Sequence, residues 1–99
     1  MASSFSEIIN NDTPTLVDFY ATWCGPCKTM SPILEDFKTK IGTKAKVIKI
    51  DVDKNQSAAG KYQVRSVPTL ILFKKGEIKW RQAGVVSAKD LMQIVQKYL

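Results

Sequence analysis

Leu16-Val17-Asp18-Phe19-Tyr20-Ala21-Thr22-Trp23-Cys24-Gly25-Pro26-Cys27-Lys28 joins an apolar, strand-like run to a segment with helical spacing. Both of the chain's cysteines sit at that junction, with two residues between them. A Cys-x-x-Cys pair opening a helix can close a small disulfide ring on one turn. Its first sulfur then lies where backbone N–H groups lack helical partners and the helix dipole is positive. That place favours a thiolate, so Cys24 is expected to be more acidic than a free cysteine. As a staple the ring would do little, because loop entropy gives a four-residue closure only about 2 kcal/mol. Chemistry is the better explanation of the pair. Zinc is the other common use of Cys-x-x-Cys, but it takes four ligands. The chain has no histidine and no further cysteine. A metal site would need two subunits to share it.

Ninety-nine residues, 44% of them hydrophobic, are enough for a single core, and residues 1–99 read as one domain. No apolar run approaches the ~18 residues that suggest a membrane-spanning helix. Met1-Ala2-Ser3-Ser4-Phe5-Ser6-Glu7 has neither the basic region nor the apolar stretch of a signal peptide, so a cytoplasmic location is expected. The net charge of +6 raises the question of nucleic acid. The lysines, those from Lys38 to Lys79 among them, are spread along the chain, and no nucleic-acid module accompanies them. They read as a solvated surface, with a basic docking face for acidic protein partners as the alternative. No nucleic-acid or membrane partner is expected.

Taken in order, Phe5, Ile8 and Ile9 form a short helix capped by Ser3-Ser4 and ended before Pro14. Thr15 to Ala21 is apolar on both faces, as in a central strand of an α/β sheet. Asp18 is its exception. An ionised carboxylate there would be costly unless paired or neutralised, so its pKa should be raised. Since its strand leads into Cys24, Asp18 reads as a proton acceptor under the cysteines; a plain hydrogen bond to backbone is the other reading. Beyond Cys24, apolar Met30, Ile33, Leu34, Phe37 and Ile41 keep helical spacing up to Gly42, with a kink expected at Pro32. Met30 lies close to the cysteines in sequence but reads as core filling. Ala45 to Val52 is the next strand. Asp53 with Gln56 outlines a capping box for a helix through Tyr62. Thr69 to Phe73 and Ile78 to Ala83 are strands joined by a turn at Lys74-Lys75-Gly76-Glu77, and Gly84 reads as a close backbone approach. Ser87 with Asp90 caps a last helix whose inner face is Leu91, Ile94, Val95 and Tyr98. The order is α-β-α-β-α-β-β-α, and the class is α/β.

Val17-Asp18-Phe19, Trp23-Cys24-Gly25-Pro26-Cys27-Lys28 and Val67-Pro68-Thr69 together resemble the thioredoxin family, over a match from about Ser4 to the C-terminus. Trp-Cys-Gly-Pro-Cys is far more specific than a bare Cys-x-x-Cys. The resemblance implies a mixed sheet of four, or five, strands flanked by four helices. The family's N-terminal edge strand is expected to be missing or vestigial, because too few residues precede Phe5. It also implies a cis Val67–Pro68 bond beside Cys24, leaving Val67 backbone groups to pair with an extended client segment. Lys49 falls where the family holds a lysine near the buried aspartate, so pairing with Asp18 is expected, with simple exposure as the alternative. Gln63 stands where a glycine is usual, which weakens the expectation of a left-handed helix end there. Tyr20 replaces a usual tryptophan.

The activity implied is thiol–disulfide exchange. Cys24, exposed, attacks a client disulfide, and the less exposed Cys27 resolves the mixed disulfide. Asp18, tuned by Lys49, takes the Cys27 proton. Trp23, Gly25, Pro26, Val67, Pro68 and Gly84 form the rim that receives the client. Thioredoxins are themselves the standard case of such a thiol, near 7 against about 8.5. The drop raises the thiolate fraction roughly fifteenfold at pH 7, while lost nucleophilicity takes back about fivefold. Docking and resolution must supply the rest. Oxidising relatives usually carry His where Pro26 stands. Reference potentials of about −270 mV for thioredoxin and about −120 mV for the strong periplasmic oxidant differ by about 7 kcal/mol. The chain is therefore expected to be a reductant and a monomer, with no bound cofactor. A thioredoxin reductase drawing on NADPH would recharge it. The alternatives are a non-catalytic binding subunit that uses the same face, and an oxidase or isomerase.

Overall fold

The structure, a computed structural model, describes residues 4–99. Helix α1 spans Phe5–Ile9, strand β1 Thr15–Tyr20 and helix α2 Gly25–Ile41; a single 3-10 turn, Gly42–Lys44, leads into strand β2, Lys46–Asp51. Helix α3 (Gln56–Lys61), strands β3 (Thr69–Lys74) and β4 (Glu77–Ala83) and helix α4 (Ala88–Gln96) complete the order expected from the sequence. Among the described residues the sheet has four strands, ordered β2-β1-β3-β4. The expectation of a lost N-terminal edge strand falls on residues 1–3, outside the described residues.

The burial pattern follows from this order. β1 and β3 are central and buried on both faces, which is why Thr15–Phe19 and Thr69–Phe73 read as nearly unbroken apolar runs. One face of the sheet packs on α2 and α4 through Leu16, Met30, Leu34, Phe37, Leu70, Leu72, Leu91 and Val95. The other carries Ile9, Val17, Phe19, Ile71 and Phe73, with Phe5 and Tyr62 laid over them. There Phe5 meets Phe19, Tyr62 and Phe73 at centroid distances of 5.9, 5.4 and 5.7 Å. Strand alternation sends Asp18 to the α2 side, two residues beyond Leu16.

Caps and turns are local. Ser4 Oγ accepts from the Glu7 N–H, and Ser87 Oγ from the Asp90 N–H at 3.1 Å. The β3–β4 turn has Lys75 at φ 55° and Gly76 at φ 78°, positive at both central positions as a tight hairpin requires. Gln63 also turns left-handed at φ 55°, so the missing glycine does not prevent that helix end; Arg81 donates to the Tyr62 and Gln63 carbonyls and holds it. α2 continues through Pro32 to Ile41. α3 begins at Gln56 and its Asn55 cap makes no side-chain bond, so the capping box expected at Asp53 does not form. The Asp53 carboxylate is engaged elsewhere.

Candidate redox site

Strand direction brings the site together. β1 runs parallel to β2 and antiparallel to β3, and β3 runs antiparallel to β4. The C-terminal ends of β1, β2 and β4 and the N-terminal end of β3 therefore share one edge of the sheet. Trp23–Cys27, Asp51–Asp53, Val67–Pro68 and Gly84 are the segments at those ends. Residues far apart in sequence become neighbours for this reason alone.

Cys24 is the N-cap of α2, and Cys24 and Cys27 are joined as a disulfide, with their Cα atoms 5.3 Å apart. The Cys27 backbone N–H donates to Cys24 Sγ at 3.1 Å. Pro26, which has no N–H to leave unpaired, stands in the first turn. The Val67–Pro68 bond is cis, and the Val67 carbonyl oxygen lies 3.6 Å from Cys24 Sγ. In the disulfide neither sulfur carries a proton, so this is a contact and not a hydrogen bond. Gly84 joins the same cluster by donating its N–H to the Pro68 carbonyl at 2.8 Å. Its φ of +94° calls for glycine; a Cβ there would meet no atom within 4 Å, so conformation rather than close approach accounts for it.

Whole-residue exposure does not separate the cysteines as the sequence suggested: Cys24 is 4% exposed and Cys27 5%. In the closed ring each sulfur shields the other, and Val67 covers the first. Trp23 stands out at 70% exposed, and its indole N–H donates to Asp53 Oδ2 at 2.9 Å. Sequence reading missed this use of Asp53; the only available signal was its place after β2, a strand parallel to β1. A cleft of about 160 Å³ beside the pair is lined by Trp23, Val52, Val64, Arg65, Ser66 and Val67. A larger groove of about 500 Å³ lies by Phe5, Lys54, Lys61 and Tyr62, and no residue of the redox pair or its rim lines it.

Asp18 is wholly buried, and among the described residues neither of its oxygens has a hydrogen-bond partner. Burial pushes its pKa from 3.8 up to about 6, against the pull of the nearby Lys49 charge. Lys49 is its cross-strand neighbour in the β1–β2 register, yet the expected ion pair is not made. The Lys49 ammonium instead lies over the Tyr20 ring, 4.8 Å from the centroid, and donates to Ser31 Oγ at 3.5 Å. It acts on Asp18 through space only. Among the described residues no group of three or more His, Cys, Asp or Glu side chains gathers as a metal site would need, and no helix is long and apolar enough to cross a membrane.

A model of the thioredoxin family matches residues 1–97. A chloroplastic thioredoxin Y of rice (Oryza sativa subsp. japonica) is 46% identical over 98 residues, covering 98% of this chain; the chain spans 58% of that relative's length. The thioredoxin of Bacillus subtilis is 48% identical over 84 residues, which are 85% of this chain and 81% of that protein. Among solved structures, the thioredoxin of Malassezia sympodialis superposes with a TM-score of 0.86 at 32% identity, over 95% of this chain and 84% of that one. The chain belongs to the thioredoxin family, and its Cys24–Cys27 pair is that of a thioredoxin-type disulfide oxidoreductase.

Proposed function

We propose that the protein reduces disulfides of client proteins. Cys24 attacks as thiolate: a bond forms from its sulfur to one client sulfur, the client S–S bond breaks, and the departing client sulfur takes up a proton. Cys27 then gives up its proton and attacks Cys24. The mixed disulfide breaks, the second client sulfur leaves as thiol, and the Cys24–Cys27 disulfide remains. Two electrons have passed to the client. The observation that carries this reading is the Cys24–Cys27 disulfide at the start of α2, with its first sulfur accepting the Cys27 N–H. The same N–H would steady a thiolate at that atom.

Asp18 is the group poised to receive the Cys27 proton, being buried on the α2 side with a pKa near 6. No hydrogen bond joins it to Cys27 directly, so the transfer needs a bridging water. Lys49 keeps that pKa from rising further. Trp23, Gly25, Pro26, Val67, Pro68 and Gly84 receive the client, with the Val67 carbonyl facing Cys24. With Pro26 between the cysteines, reduction of clients is the favoured direction. A thioredoxin reductase spending NADPH returns two electrons to the pair, and no prosthetic group takes part. We read residues 1–99 as one functional unit, working as a monomer in a reducing compartment such as the cytoplasm; the rice relative is chloroplastic.

Reduction of insulin disulfides in the presence of NADPH and thioredoxin reductase tests the reading. Cys24→Ser should abolish turnover. Cys27→Ser should accumulate a one-to-one mixed disulfide with the client, visible by non-reducing electrophoresis and mass. If the native protein shows no turnover while the double Cys→Ser variant still captures partners, the chain is a binding subunit instead.

A further inference from the structure

Lys49 and Asp18 are register partners in the sheet, and a buried carboxylate beside a lysine is ordinarily an ion pair. Here the lysine turns away. Two contacts account for it, the face of the Tyr20 ring and the Ser31 hydroxyl on α2. We propose that Tyr20 and Ser31 are positioning residues that hold the Lys49 ammonium off the Asp18 carboxyl, leaving that carboxyl unpaired and ready to take a proton. Tyr20 is the stronger anchor, because the hydrogen bond to Ser31 is long at 3.5 Å. The inference rests on Asp18 serving as the proton acceptor proposed above. It adds which residues set that acceptor.

Among the described residues no other charge on this side of the sheet competes for the role. The ionisable groups there are Tyr20 on the same strand, Lys49 and Asp51 on β2, Lys74 at the far end of β3 with its β4 partner Glu77, Cys27 across the layer on α2, and Tyr98 beyond α4. Glu77 accepts from the Lys79 ammonium, and the Tyr98 hydroxyl donates to the Lys79 carbonyl. The Asp51 carboxylate accepts from the Asp53 backbone N–H, and the Lys74 ammonium donates to the Tyr98 carbonyl. The β3 partner of Asp18 is Leu70, β4 brings Trp80 and Gln82 to this face, and α4 packs with Leu91 and Val95. Among the described residues only Lys49 is both charged and the direct register partner of Asp18. What holds Lys49 therefore governs Asp18.

The test is the pH titration of the Asp18 side-chain carboxyl carbon by NMR, on the oxidised protein, where neither sulfur titrates. The native midpoint is expected at about 6, where burial pushes the carboxyl. A positive charge drawn within ~4–6 Å lowers a carboxyl pKa by about 1–3 pH units. Ser31→Ala and Tyr20→Leu together should lower the midpoint by about one pH unit, since the freed ammonium can reach the carboxyl. Tyr20→Phe keeps the ring and should leave the midpoint in place. Lys49→Met should raise it, and in that background the other two substitutions should no longer shift it. An unchanged midpoint in the Ser31→Ala, Tyr20→Leu protein overturns the proposal. So does an equal shift in the Lys49→Met background, which would mean that Tyr20 and Ser31 act on Asp18 through packing or polarity. If Tyr20→Leu does not fold, Tyr20→Met takes its place beside Ser31→Ala, with and without Lys49→Met, and decides by the same two criteria. Client reduction does not enter the readout, so the result stands apart from the outcome of the insulin assay.

Discussion

Asp18 places a carboxyl in the middle of a central strand, with apolar neighbours and no partner for either oxygen. The folded pKa of about 6 lies above the unfolded value of 3.8. Between those values the folded protein binds more protons than the unfolded chain, so stability falls as the pH rises through that window. The penalty is absent below it and complete above it. A rise of about two pH units in the carboxyl midpoint corresponds to about 3 kcal/mol. Asp18→Asn removes the charge at nearly constant shape, so its advantage over the native protein should grow by most of that amount, about 2.4 kcal/mol, between pH 4 and pH 7.5. Urea unfolding of both proteins at the two pH values measures it. A stability gap that does not change with pH would mean that the carboxyl is not strained by burial. The native residue thus carries a cost at neutral pH, which supports a role for it in proton transfer.

At the scale of elements, α4 starts on a capping serine whose Oγ takes the Asp90 N–H. Ser87→Ala leaves that donor to water and should cost about 1 kcal/mol in denaturant unfolding. Client reduction should be unaffected, since α4 meets α2 at Leu91 and Val95 rather than at the cysteines. Such caps were legible in the sequence, as were all four strands and the hairpin turn, because each depends on spacing within a few residues. The start of α3 was not. Asp53 in the pattern Asp-x-x-Gln looks like a cap, but its carboxylate is taken by Trp23, thirty residues earlier in the chain. The Lys49–Asp18 pair failed for the same reason. Register made the two neighbours, as expected, while the Tyr20 ring and the Ser31 hydroxyl redirected the ammonium. Side-chain partners across elements depend on the packed layers, and no local pattern in the sequence encodes them. The equal cover of Cys24 and Cys27 belongs with these, because closing the ring hides both sulfurs.

For the molecule as a whole, the proposed reduction of clients requires one shape with the disulfide open or closed. The cohesion of this fold lies elsewhere than in that bond. Phe19, Phe37, Phe73, Leu16, Met30, Leu70, Leu72 and Leu91 are all fully buried, in two layers on either side of the sheet. Truncating any one large aliphatic residue among them would cost about 2–5 kcal/mol, while opening a four-residue ring costs only about 2 kcal/mol. Reduction with dithiothreitol should therefore lower the unfolding free energy by about 2 kcal/mol and leave the far-ultraviolet circular dichroism unchanged. Amide NMR shifts should move mainly at Trp23–Lys28, the N–H-less Pro26 aside, and at Val67 and Gly84, in the segments that meet at the active edge of the sheet. A cooperative loss of secondary structure on reduction would show the disulfide to be a staple, and a protein built that way could not cycle electrons through it.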